Sequence, residues 1–489
     1  MGARLTEPGL QGAALAPAFV AALAAVPAEA WSAWARQFPA SAEPALSYSL
    51  AVAIPIPACK GIGAICVIES VSGGEPPTLR QAALRIWQGS GPSNIRVLHQ
   101  AVATDQSPLW TIASAWADPD ACAWLLGALA EGASLSAEGW EWLATAERIE
   151  VSIAASETAR QIIGRRHDVV LFESGTAAVV YARLTQGGQR EVELLRHLER
   201  VPGLLIAPPL LGSAVVRAPD GKRFASAILV DIQPGAATVR SVVVRRLRRA
   251  FEGDPSLLAT ALDDVRAAGG IARELHAALG RPVEHAVIVG AHPATVADLD
   301  VWVARSRRAL ASARAVLDPG IPLHGALGGL LDVLPGTLEQ CAVAAATAPG
   351  LAHRIHGNLQ LDTILITPPR TLRVVEFDGD SFLPDNERDA PQSPWRDVAR
   401  LLVSIAEAAA EAAGAAGGDE KALEIAWLWE REARNACLEG YGSGGGALHA
   451  LLAIFEMEFA ARLLLDAVAA GGSPAVAAHS LQRLARTVV

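Results

Sequence analysis

Residues 353 to 380 read His-Arg-Ile-His-Gly-Asn-Leu-Gln-Leu-Asp-Thr-Ile-Leu-Ile-Thr-Pro-Pro-Arg-Thr-Leu-Arg-Val-Val-Glu-Phe-Asp-Gly-Asp, and this stretch decides the fold. It parses as a loop, a short apolar strand over 364–366, a Pro-Pro turn, and a second strand over 372–375 that runs into acids. A tight strand-turn-strand unit brings its two polar ends to one edge of the pair. One end carries His356, Asn358 and Thr363; the other carries Glu376, Asp378 and Asp380.

Phosphoryl transfer asks little covalent work of a protein; it needs positioning and charge neutralisation around the phosphates. A loop group orients the attacking hydroxyl, a residue shortly after it helps hold metal, and an acid after a second strand binds the phosphate-bridging Mg²⁺. The stretch has that layout. His356-Gly357-Asn358-Leu359-Gln360-Leu361-Asp362-Thr363 resembles the His-Gly-Asp-Leu-His-Leu-Gly-Gln loop of bacterial maltokinases, relatives of the aminoglycoside phosphotransferases. Glu376-Phe377-Asp378-Gly379-Asp380 is similar to their Asp-Phe-Glu-Gly-Glu, and Ser393-Pro394-Trp395-Arg396-Asp397-Val398 to their Ser-Pro-Leu-Arg-Asp-Val. The likeness extends over roughly residues 110 to 489.

Working outward, 489 residues suffice for two or three domains with a substantial core. The 51% apolar share is driven by alanine while aromatics make up 5%, which predicts dominant Ala-rich helices. A net charge of −10 argues against nucleic acid or an anionic membrane as partner. The five cysteines are scattered without a Cys-x-x-Cys pair and read as buried thiols of a reducing compartment. Residues 9–30 are apolar, but Glu7, Pro17 and Pro27 favour an amphipathic first helix over a signal peptide. No run suggests a membrane span, so a cytoplasmic location is expected.

Along the chain, Ala-rich helix through 35 precedes alternating strands at 47–56 and 64–71. Gly73-Gly74-Glu75-Pro76-Pro77 reads as a hairpin turn with 78–87 as the return strand. Asp118-Pro119-Asp120 opens a helix running to about 131. Strands are read at 169–172, 177–181 and 226–231, with a helix at 190–198. Beyond 237 the pattern is helical apart from the central unit, with helices at 271–279, 297–317, 397–416, 421–439 and 447–470. With the resemblance, the fold class is α+β, a bilobal protein-kinase-like (aminoglycoside phosphotransferase) fold. An N-terminal cap domain is expected over 1–150, a small kinase-like lobe over 151–236, and a mostly helical C-terminal lobe over 237–489.

The resemblance also assigns roles, and the residue types depart from it selectively. The family's aspartate base falls on Asn358, whose neutral amide can accept a hydrogen bond but is too weak a base to take a proton. Loss of a general base costs about 10²–10⁴-fold; the plainer reading is an asparagine that steadies a turn. Beside Asn358 at the catalytic position, His356 and Gly357 would fix the loop. Nucleotide contact falls on Arg183, Glu193, Val230 and Asp231, yet Lys60, Lys222 and Lys421 are the only lysines, so the small lobe has none for the phosphates. Arg183 is then the substitute or simply a solvated cation. Metal ligation falls on Thr363, Glu376 and Asp378, with weaker or longer side chains than the family's; an acidic loop that only caps a turn is the alternative. Arg396 and Asp397 would anchor the loop from a helix start. The late helix Glu456-Met457-Glu458-Phe459-Ala460-Ala461-Arg462 carries Phe459 and Arg462 where the family has lysine and tyrosine.

Frame retained and reactive groups replaced, the sequence reads as a silent or nearly silent maltokinase-like binding or regulatory module. The resemblance links it to enzymes of trehalose, maltose and glycogen metabolism, with a sugar or other small molecule as ligand and no cofactor expected. The alternative is an active kinase that uses ATP and Mg²⁺ to phosphorylate maltose or a related sugar.

Overall fold

The structure is a computed structural model. It describes residues 15–486 except 16, 25, 28, 32–33, 35–46, 61, 72–77, 89–96, 102–109, 149–158, 164–166, 188–189, 285–287, 289, 319–320, 381, 416–419 and 443–445. Helix α1 (Pro17–Ala24) precedes an antiparallel sheet built from the alternating segments. Strand β1 (Ser47–Pro55) pairs with β2 (Gly63–Val71), which pairs with β3 (Thr78–Gln88) in the register Ser70↔Thr78 expected of a hairpin. The hairpin turn itself falls outside the described residues. With β4 (Val97–Ala101) and β5 (Trp110–Ser114) the order is β1-β2-β3-β5-β4.

Helix α2 (Pro119–Glu131) starts where its sequence says it should: the Asp118 carboxylate accepts from the Asp120 amide at 3.1 Å, and Pro119 fills the first turn. Next come β6 (Ser134–Ala137), β7 (Trp140–Ala146), β8 (Ala159–Ile163), β9 (His167–Phe172) and β10 (Thr176–Tyr181). They are followed by β11 (Arg183–Leu184), α3 (Arg190–Glu199), β12 (Leu210–Arg217) and β13 (Arg223–Asp231). Seven of these strands form a second sheet in the order β6-β7-β12-β13-β10-β9-β8. The short β11 does not join it. It crosses to the first sheet and pairs with β3, Arg183 opposite Arg80. A buried polar contact also links the sheets: the Gln81 amide donates to the Ser226 carbonyl at 2.6 Å, and the Ser226 hydroxyl donates back at 2.9 Å.

From β14 (Ala237–Thr238) the chain is helical, as read, apart from short strands. Helices α4 (Val239–Phe251), α5 (Ser256–Leu279), α6 (Val296–Ala315) and α7 (Pro322–Ala346) enclose the two-residue strands β15 (His292–Pro293) and β16 (Leu351–Ala352). The central unit follows as β17 (Ile364–Thr367) and β18 (Thr371–Val374), with β14 alongside β17. Then come α8 (Asp385–Asp389), α9 (Trp395–Ala415), α10 (Glu420–Tyr441), α11 (Gly446–Ala469) and α12 (Ala475–Ala485). Helices α4, α7, α8 and α12 are additions to the expected set, and α5 begins well before 271. Five of the residues of α7 are Gly325, Gly328, Gly329, Pro335 and Gly336, which read as punctuation. Leu327, Leu331, Leu334, Leu338 and Cys341 recur at helical spacing and are all buried, so packing overrides propensity there.

Contacts divide the chain near 235 into two compact units, the second also including residues 197–207 and the first residues 381–385. No helix among the described residues is long and apolar enough to cross a membrane. All five cysteines are buried and free, and burial pushes the Cys66 thiol up to about 12.

Helices α5 and α10 approach closely because glycine stands on both. A Cβ on Gly269 would lie 2.0 Å from the Cys437 carbonyl oxygen, and one on Gly440 would lie 2.0 Å from that of Arg266. Gly269→Ala should therefore destabilise by about 1–3 kcal/mol in urea unfolding, since the helices must part. Gly329→Ala on the open face of α7, with nothing within 4 Å, should instead stabilise by about 0.5–1 kcal/mol.

Candidate functional site

The central unit is knotted around Val375. Its amide donates to the Thr363 carbonyl at 2.9 Å, and its carbonyl accepts from His356 Nε2 at 2.9 Å. His356 and Thr363 are thus both tied to one residue. His356 is fully buried; its Nδ1 accepts the Asn358 amide at 3.2 Å, and its ring packs 5.0 Å from that of Phe377. With Nε2 donating and Nδ1 accepting, His356 is a neutral tautomer committed to holding the loop. Thr363 is equally committed. Its hydroxyl donates to the Gln360 carbonyl and accepts the Gln360 amide, both at 3.0 Å.

Asp397, at the start of α9 and buried, accepts from two consecutive loop amides: His356 to Oδ2 and Gly357 to Oδ1, each at 2.8 Å. His276 on α5 adds a third bond, Nε2 to Oδ2 at 3.1 Å, while its Nδ1 takes the Tyr441 hydroxyl at 2.9 Å. Burial alone would raise the Asp397 carboxyl, but the His276 hydrogen bond, nearby imidazoles and the Gly357 amide outweigh it and hold the group below the usual range.

Arg396 is fully buried and binds three elements. One Nη donates to the Gly357 carbonyl at 3.2 Å; the other reaches Asp380 at 2.6 Å and Glu458 on α11 at 2.9 Å. Arg462 closes the square, meeting Asp380 at 2.5 Å and Glu458 at 2.6 Å. The Phe459 ring lies 4.8 Å from the Arg396 guanidinium and 5.9 Å from that of Arg462. Against burial, Glu458 and Asp380 lift the Arg396 guanidinium above its ordinary value. The Asp380 carboxylate is therefore spent on two guanidinia.

Of the remaining positions, Asn358 is 7% exposed, and its Nδ2 has no hydrogen-bond partner among the described residues. Glu376 and Asp378 follow β18, both half-buried, with Glu376 in the left-handed region at φ 65°. No group of three or more His, Cys, Asp or Glu among the described residues is arranged to hold a metal ion. The donor set fits Mg²⁺ poorly: the Thr363 hydroxyl is used within its own turn and Asp380 is neutralised.

In the first unit, Arg183 lies on β11 and Glu193 in the first turn of α3. Its neighbour Glu191 is the buried acid, receiving a short hydrogen bond from the Tyr181 hydroxyl. Val230 is buried between Ala177 and Leu210, and Asp231 Oδ1 accepts the Gln233 amide at 3.1 Å. Sequence reasoning missed His276, Tyr441 and the roles of Glu458 and Arg462. The available signal was two opposite charges four residues apart on an otherwise apolar helix.

No protein-family model matches the chain. Solved structures do match. A glucosamine kinase in complex with glucosamine, ADP and inorganic phosphate aligns at TM-score 0.58 and 20% identity, over 94% of this chain and 99% of that one. A second crystal form of glucosamine kinase aligns at TM-score 0.59 and 19% identity, over 89% and 92%. The chain has the glucosamine kinase fold. It is the expected α+β, kinase-like class, with a mostly helical C-terminal region.

His353, 3% exposed, provides a handle on this region's acid stability. Burial and the neighbouring His276 lower it to about 4, so it is neutral when folded. The unfolded histidine titrates near 6.5, so its contribution is complete above that pH and is lost as pH falls towards 4. His353→Gln should flatten the fall in stability across that window by up to ~1.4 kcal/mol per pH unit, read from urea midpoints.

Proposed function

We propose that this chain is a maltokinase-like, sugar-kinase-fold protein that binds a small molecule and transfers phosphate at background rate or not at all. The observation that carries the reading is the buried square of Arg396, Asp380, Arg462 and Glu458. Asp380, the last acid of the cluster after β18, is neutralised by two arginines, which leaves Glu376 and Asp378 as the acids that could meet a cation. Asn358 stands at the base position with a neutral amide, which withholds a contribution worth about 10²–10⁴-fold. Thr363 has turned its hydroxyl into the loop. No lysine lies between Lys60 and Lys222, and the buried strand-to-helix tie of the small lobe is a phenol on a carboxylate, Tyr181 to Glu191, rather than the ammonium–carboxylate pair of kinases.

What persists is a rigid loop presenting one unpartnered amide. Asn358 can donate to and accept from a hydroxyl, and so suits a sugar better than it suits catalysis. An amino sugar or a maltose-type disaccharide is the ligand class we assign, with a regulatory role beside enzymes of trehalose, maltose and glycogen metabolism in the cytoplasm. The cap (1–150), small-lobe (151–236) and helical-lobe (237–489) division is part of the same reading. An active ATP- and Mg²⁺-dependent kinase is the alternative, and the retained acids Glu376 and Asp378 are what favour it.

An ADP-release assay separates the two. Wild type and Asn358→Asp should both stay near background with glucosamine, glucose and maltose, because groups that act as a unit are not restored singly. Turnover of order 1 s⁻¹ by wild type, the low end for kinases, would overturn the silent reading. ATP with Mg²⁺ at millimolar concentration should leave the melting temperature unchanged. A ligand at 100 times its Kd would add about 2.7 kcal/mol, which a melt resolves easily.

A further inference from the structure

Helix α4 carries Arg245, Arg246, Arg248 and Arg249 close together and has no acid between Val239 and Phe251. Arg245, Arg248 and Arg249 are exposed. Residues three and four apart are neighbours on a helix, and like charges so placed repel. Part of the set has a structural explanation. Arg248 pairs with Glu252 at 3.0 Å, Arg249 lies 3.8 Å from Asp254, and both stand in the last turn, where the helix dipole favours a cation. Arg246 reaches the buried Asp264 of α5. Arg245 has no such account: it stands before the last turn and forms no ion pair or hydrogen bond among the described residues.

Arg370, from the turn between β17 and β18, adds a further cation. It meets the other oxygen of Asp264 at 2.8 Å while its side chain stays 64% exposed. One carboxylate is thus divided between two guanidinia. Asp263, the next acid on α5, is held by Arg266 at 2.7 Å. Burial, Arg370 and Arg245 lower the Arg246 guanidinium although Asp263 draws it up. Positive charge is therefore concentrated here in a chain whose net charge is −10. The surroundings select what would meet it. The apolar stripe of α4 (Val239, Val242, Val243, Leu247 and Ala250) is buried, which leaves no apolar face to enter a lipid surface. No aromatic side chain stands among the exposed positions of α4 to stack a nucleic-acid base. What the ridge offers is forked N–H donors, whose geometry matches carboxylates.

We propose that the face of α4 bearing Arg245, Arg248 and Arg249, with Arg246 and Arg370 at its flank, is a docking surface for an Asp- and Glu-rich segment of a partner protein. Charge complementarity carries the assignment. The surface does not depend on whether the 353–380 loop transfers phosphate.

The test uses the full chain, with a fluorescent polyglutamate peptide as probe in anisotropy titrations. Binding should be measurable at low ionic strength and weaken as salt is added. Arg245→Glu and Arg249→Glu should each raise the dissociation constant by about tenfold or more. Arg307→Glu, at an exposed arginine of α6 paired with Glu339, should leave it within about twofold. No binding at low salt, an affinity that survives both α4 substitutions, or an equal loss with Arg307→Glu would overturn the proposal. Oligo-dT or phosphatidylserine vesicles that bind through Arg245 more tightly than the peptide would overturn the choice of partner. So would self-association of the chain that Arg245→Glu abolishes. If Arg245→Glu fails to fold, Arg249→Glu decides the matter alone.

Discussion

One carboxylate holds the central loop in place. Asp397 takes the amides of His356 and Gly357 on its two oxygens, and those bonds fix the turn from which every candidate site residue is measured. Charged acceptors on backbone N–H groups make bonds of roughly twice the neutral strength. With His276 as the larger contributor, they hold the fully buried acid below the usual carboxylate range. His276 adds its Nε2 proton and is itself set by the Tyr441 hydroxyl, so α5, α9 and the end of α10 all bear on the loop. Removing Asp397 would strand two amides and an imidazole at once.

The loop then organises the acids beyond β18 through its own backbone. Arg396 is the residue after which Asp397 follows, and its guanidinium touches the Gly357 carbonyl on one side and Asp380 on the other. The two neighbours on α9 thus clamp the same glycine, one taking its N–H and the other giving to its C=O. A buried ion pair of this kind is weak evidence for stability by itself, since desolvation offsets most of the attraction. Its better use is to specify one arrangement of loop, acid segment and α11.

Much of this was legible in the sequence. The alternating strands, the Asp118 cap, the strand-turn-strand unit and the late helices carry local signals of period and capping, and they sit where those signals put them. Asp397 and Arg396 were legible as anchors because they stand at a helix start. What the sequence withheld was pairing at a distance. Glu458 and Arg462 form an ordinary i,i+4 pair on paper, and only the fold brings Arg396 and Asp380 onto them. Arg183 reads as a stand-in nucleotide contact or a solvated cation until β11 pairs with β3 and sets it opposite Arg80. Helix α7 was hidden for the opposite reason: its glycines and proline speak locally against a helix that burial of Leu327, Leu331, Leu334 and Leu338 imposes.

The proposed reading treats Asn358 as standing where a base would be, and charge balance gives the asparagine a further meaning. Within the buried square, two guanidinia meet two carboxylates, and the count is already even. A third carboxylate at position 358, at 7% exposure, would need a cation of its own. In a working kinase the metal and the phosphate-binding lysine compensate the acids of the site. Here no lysine lies between Lys60 and Lys222, and Asp380 is turned towards arginine. Under those conditions an aspartate would be an uncompensated buried anion, driven to take up a proton and so useless as a base. Asparagine has the same size, keeps the acceptor and carries no charge. On the proposed reading, asparagine at 358 and the arginine pairing at 380 are one adjustment rather than two, and an acid at 358 without the metal would add the charge but not the chemistry.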